Sequence, residues 1–102
     1  NHPDTLAIRN NLAGAYVSAG DPDRAIPLYE TTLADCERVL GQNHPNTLTT
    51  RNNLANAYLS AGAPDRAVSL LETTLTDCER VLSQGHPLIE QVRTNLRVAR
   101  TA

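Results

Sequence analysis

The sequence predicts an all-α fold, a solenoid of stacked antiparallel helix pairs, and three observations carry that expectation. His-Pro recurs at 2–3, 44–45 and 86–87, a fixed interval of 42 residues. Residues 2–43 laid on 44–85 agree at 30 of 42 positions. Within each unit a Ser-Ala-Gly stretch followed two residues later by Pro divides two segments of helical apolar period. Self-similarity at such a period marks units that bury their apolar faces only by stacking on one another.

The punctuation places the elements in order. Pro3, Pro22, Pro45, Pro64 and Pro87 each stand where a first helical turn tolerates the missing N–H, while Gly20 and Gly62 supply stops. The expected helices are 3–19, 22–40, 45–61, 64–82 and 87–101, five in all. Asp21 is a good N-cap for the second, and Ala63 at the same place in the fourth should cost about 1 kcal/mol. Pro27 removes one hydrogen bond near the start of the second helix, where the fourth has Ser69. The third copy keeps only His86, Pro87, Arg93, Asn95, Leu96 and Ala99 of the second. The chain therefore divides into unit 2–43, unit 44–85 and a half-unit, 86–102, in one array of one modest core.

At about 100° per residue, Ala25, Leu28, Tyr29, Thr32, Leu33, Cys36, Val39 and Leu40 share the inner side of the second helix. Arg24, Glu30, Thr31, Asp35, Glu37 and Arg38 form its outer side. In the first helix Leu6, Ile8, Leu12, Ala13, Ala15, Tyr16 and Ala19 make a broad arc, wide enough for neighbours on two sides. What remains is small and amide-rich: Ala7, Asn10, Asn11, Gly14 and Ser18, bordered by Val17.

The net charge is −2, with charges interspersed, so no basic footprint for nucleic acid or an anionic membrane exists. No apolar run approaches the ~18 residues of a membrane span and no secretion signal opens the chain, which predicts a cytoplasmic protein. All nine basic residues are Arg, a bias that fits a high-GC bacterial genome. Cys36 and Cys78 lack any C-x-x-C and sit on apolar arcs, where Cys acts as a small hydrophobe. One His per unit puts the rings far beyond shared metal coordination, so His2, His44 and His86 read as caps or loop packing. No phosphate loop, nucleophile elbow or zincin motif is present, so no enzyme and no cofactor is expected.

Leu12-Ala13-x-x-Tyr16, Gly20 and Ala25-x3-Tyr29, with Leu54-Ala55-x-x-Tyr58, Gly62, Ala67 and Leu71, resemble the tetratricopeptide repeat pattern W-x2-L-G-x2-Y then A-x3-F. Arg9, Arg51 and Arg93 stand where that pattern has Trp, the closing Pro is missing, and the unit exceeds the usual ~34 residues. The longer unit, with H-P-[DN]-T-L, R-N-N-L-A-x-A-Y and the Ala25–Glu30 segment, resembles the kinesin-light-chain-like subtype. The resemblance implies a right-handed superhelix whose first helices line a concave groove for peptide segments, as part of a larger regulatory protein. Carried over by position, the groove residues are Ala7, Asn10, Gly14, Val17 and Ser18, then Thr49, Asn52, Asn56, Leu59 and Ser60, then Gln91, Thr94 and Val98.

Periodicity alone selects nearly the same arc. Amides donate and accept, so they can satisfy the backbone of an extended peptide, with Asn52 and Asn56 the strongest candidates and Leu59 and Val17 suited to an apolar ligand side chain. The competing role for the Asn rows (Asn10, Asn11, Asn52, Asn53, Asn95) is inter-repeat hydrogen bonding. The Arg row reads as a brace to the second helix of each unit. Two function classes follow: a peptide- or protein-binding scaffold, or a self-assembly element acting through the ends of the solenoid. Arg97 and Arg100 replace the Ala and Tyr of earlier units, which predicts a capping last helix. The first helix carries no such change, so it is expected to be a cut surface, in phase with a longer array since Asn1 matches Asn43, through which copies pair.

Overall fold

The computed structural model describes residues 3–102, with side chains from Thr5 onward. Asn1 and His2 lie outside the described residues. Five α-helices are formed there: α1 Pro3–Ser18, α2 Pro22–Leu40, α3 Pro45–Ser60, α4 Pro64–Val81 and α5 Pro87–Arg100. Each starts on the expected proline. All but α2 end one residue before the expected position, because the next residue already belongs to the turn. Gly20 and Gly62, both at φ 81°, let the chain reverse: Asp21 N–H bonds back to the Tyr16 carbonyl at 2.8 Å and Ala63 N–H to that of Tyr58 at 2.9 Å.

The caps follow the sequence. Asp21 accepts from the Arg24 N–H at 3.4 Å, and His44 and His86 accept through Nδ1 from the N–H two residues on, both at 3.1 Å. Ala63 holds almost the same backbone angles as Asp21 but offers no side-chain bond. The α4 N-terminus therefore keeps one more donor for water. Ala63→Asp should add about 1 kcal/mol and raise Tm by about 4 °C, measured by thermal unfolding. An unchanged Tm would mean that the α4 end is frayed and a cap there has nothing to hold.

Consecutive helices pack as antiparallel neighbours along the chain, and α3 also touches α1 and α5, whereas α2 and α4 do not meet among the described residues. The row α1–α3–α5 is thus the inner, concave side of a slab of 36 × 33 × 18 Å. Ala13, Ala25, Ala55 and Ala67 are fully buried in one core with Tyr29, Leu48, Leu54, Tyr58, Leu71 and Val92. Val39, expected inside, is 40% exposed, as is its repeat equivalent Val81.

The Arg row braces the pairs as expected. Arg9 meets Asp35 and Arg51 meets Asp77, each at 2.7 Å, and Arg93 reaches Glu79 at 2.8 Å. Arg51 also donates to the Gln42 carbonyl at 2.6 Å. Hydrogen bonds from Arg9 and Arg51, with Arg38 and Arg80 adding to them, hold the Asp35 and Asp77 carboxyls below their ordinary value of 3.8. Since the folded values are the lower ones, the pairs stabilise the fold above the unfolded pKa, and the gain is lost as pH falls through the folded values. Urea midpoints should hold from neutrality to about pH 5 and fall below about pH 4, with a shallower fall in an Asp77→Asn variant. Equal acid sensitivity in both chains would remove Asp77 as a source.

Candidate peptide-binding groove

Two hollows open on the concave side. One, of about 200 Å³, lies between α1 and α3 and is lined by Ala7, Asn10, Asn11, Asn46, Thr49 and Asn53 over a floor of Leu6, Cys36 and Leu40. The other, of about 440 Å³, lies between α3 and α5 and is lined by Asn52, Asn53, Asn56, Glu90, Gln91, Thr94 and Asn95. Asn53 borders both, so the two hollows adjoin along α3. The structure thus brings together Ala7, Asn10 and Thr49 in the first and Asn52, Asn56, Gln91 and Thr94 in the second. Gly14, Val17, Leu59 and Val98 line neither. Val17 and Leu59 pack against the core, and Val98 is half exposed.

Asn52 requires a correction. It was expected beside Asn56 on a solvated arc, yet it is only 3% exposed, and its Oδ1 accepts from Asn95 Nδ2 at 2.8 Å. α5 lies over that flank of α3, which angle on the α3 wheel alone does not reveal. Asn10 is likewise half buried, and its Nδ2 donates to Thr50 Oγ1 at 2.9 Å. Both amides therefore link neighbouring inner helices, while Asn56 keeps part of its surface open.

Asn46, Asn53 and Glu90 were not among the expected groove residues. A signal existed: Asn46, Thr49, Asn53 and Asn56 follow the i, i+3, i+7, i+10 stripe of one helix face. Gly14 and Asn56 are equivalent positions in the two units. A Cβ on Gly14 would stand 3.4 Å from the Tyr29 hydroxyl, an ordinary contact, and Leu71 takes the place of Tyr29 in the second unit.

Chemically the depression is neutral and amide-rich. Its one formal charge among the lining residues, Glu90, is paired with Arg93 at 2.9 Å. Cys36 and Cys78 are free and buried, and burial pushes both thiols up, away from the reactive thiolate. Among the described residues no three His, Cys, Asp or Glu are placed to hold a metal ion, and no helix is long and apolar enough to cross a membrane.

Helix pairs stacked by alanine contacts, with a concave side rich in amides, define a helical-repeat array. The tetratricopeptide repeat family matches residues 1–96, and the chain belongs to it. Its repeats are of the kinesin-light-chain-like type: the chain is similar to the nearly identical tetratricopeptide-like repeats ascribed to a kinesin light chain of Podosopora anserina, at 30% identity and a TM-score of 0.89. A single-residue variant of that protein gives 30% and 0.88. In both cases 99% of this chain is covered but only 48% of the matched one, so the chain spans about half the length of those structures. No curated protein matches it.

Asn52→Ala should cost about 2 kcal/mol, since it leaves the Asn95 amide without its acceptor, whereas Asn56→Ala should stay within about 0.5 kcal/mol. Denaturant unfolding of the two variants measures both. Equal stabilities would show that the Asn52–Asn95 link contributes nothing.

Proposed function

We propose that this chain is a non-catalytic scaffold module of a longer protein, which binds an extended polypeptide segment along the depression between α1, α3 and α5. The observation that supports it most is the open amide row Asn46, Asn53, Asn56 and Gln91 in a depression without unpaired charge. Such a row can satisfy peptide N–H and C=O groups whatever side chains they carry. The one carboxylate of this face, Glu90, is paired with Arg93, which favours binding over acid–base chemistry as the use of this face. Repeats of this family are generally protein-interaction scaffolds. Asn10 and Asn52 then serve the site by fixing the spacing of the inner helices, and Asn56, Thr49, Gln91 and Thr94 meet the ligand.

Selection from a displayed library of unstructured dodecamer peptides tests this. Enriched peptides should bind the chain and lose at least about tenfold in affinity, about 1.4 kcal/mol, on Asn56→Ala with Gln91→Ala, while the fold is retained by circular dichroism. Peptides indifferent to that pair would place binding off the concave face. The second reading, a self-assembly element joining copies by its ends, draws on the exposure of Ile8 and Leu12. The exposed charges that α5 carries at Arg97 and Arg100, where earlier units have Ala and Tyr, argue against the other end as a joint.

A further inference from the structure

The two seams between inner helices are closed differently. Between α3 and α5, Asn52 Oδ1 accepts from Asn95 Nδ2 at 2.8 Å. Between α1 and α3 the same places are held by Asn10 and Asn53. Asn53 does not close this seam: Asn10 Oδ1 is buried and has no hydrogen-bond partner among the described residues. A buried acceptor in that condition calls for a donor.

The difference originates at Thr50, in whose place α5 has Val92. Thr50 gives its hydroxyl hydrogen to the Asn46 carbonyl at 2.9 Å, so its oxygen only accepts, from Asn10 Nδ2 at 2.9 Å and from the Cys36 thiol at 3.8 Å. That network fixes which end of the Asn10 amide is which. The nitrogen is committed to Thr50, and the oxygen is left as the open acceptor of a residue that lines the hollow of about 200 Å³ between α1 and α3. The rest of the lining has the same character. Asn11, Asn46 and Asn53 bring side-chain amides that make no hydrogen bond among the described residues, and no lining residue carries a formal charge.

We infer that this hollow takes the side-chain amide of an Asn or Gln in the bound polypeptide. The inference rests on the groove reading and adds to it the residue that the smaller hollow selects. The ligand NH2 donates to Asn10 Oδ1 as Asn95 donates to Asn52, and the ligand carbonyl accepts from the Asn46 or Asn53 amide. Since the oxygen is buried, a side chain that enters the hollow reaches it, and a backbone lying across the mouth does not. A carboxylate would set one acceptor against another. An ammonium would donate, but no carboxylate in the lining offsets its desolvation. An aliphatic side chain leaves the acceptor unmatched.

Dodecamers selected from a displayed library against the whole chain supply the probe. The strongest binder is resynthesised with each Asn or Gln changed in turn to Asp or Glu, the acid of the same shape. At one position the acid should lower affinity at least about tenfold, whereas in Thr50→Val, which releases the Asn10 amide to present either end, the same change should cost less than about threefold. Asn10→Asp, which supplies the missing carboxylate, should turn the preference at that position to Lys. Circular dichroism checks the helix content of both variants, and the acid scan itself alters only the peptide. Binders that weaken on Asn56→Ala with Gln91→Ala, yet carry no amide or tolerate the acid everywhere, would overturn the inference, leave the groove reading standing, and assign water as the donor to Asn10. An acid penalty undiminished in both Thr50→Val and Asn10→Asp would overturn it too, by placing the amide in another hollow. Binders indifferent to the Asn56 and Gln91 pair would remove both readings.

Discussion

Alanine sets the spacing on which everything else in this chain depends. Ala13 and Ala25 in the first pair, and Ala55 and Ala67 in the second, are fully buried and carry nothing beyond Cβ. With such residues at the crossing, helix axes approach toward the near end of the ~8–10 Å range. A larger side chain there would wedge the pair open and move every neighbour stacked on it. Close approach has a second consequence, since it brings a long Arg on one helix within reach of a carboxylate on the next.

Those Arg side chains occupy the place where the family pattern has Trp, and the substitution changes what holds the pair. A Trp contributes chiefly by burial and offers a single N–H donor. Arg51 is nearly buried too, but it is tied to Asp77 and to the Gln42 carbonyl, so its contribution is directional and fixes the register of α3 on α4. Threonine plays a similar part on the inner helices. Thr50 bonds back to the Asn46 carbonyl and accepts from Asn10, so that its own hydroxyl is matched as it joins α1 to α3.

The concave side follows from these fixings. Three inner helices, linked amide to amide or amide to hydroxyl, hold the depression to a defined width. The amides that remain open, Asn46 and Gln91 more than Asn53 and Asn56, face it without charge. A surface of this kind favours recognition of backbone over recognition of a particular charged group.

Much of this was legible in the sequence because it is local or repeated. Helix starts depend on Pro at the first turn, reversals on Gly at positive φ, and both are written in a few adjacent residues. The 42-residue period gave the stacking, and the angle of Arg9 and Arg51 near the packed arc gave their role as braces. The difference between Asn52 and Asn56 was not legible. They lie one turn apart on the same face of α3, and the helical wheel treats them alike. α5 covers the first and leaves the second open, an outcome set by where its axis crosses α3. Likewise Asn10 meets Thr50, forty residues away, and not the Asn that its own repeat equivalent would suggest. A helical period reports which side of a helix is apolar, but burial of a polar residue depends on the offset and tilt of the next helix, which only the assembled structure decides.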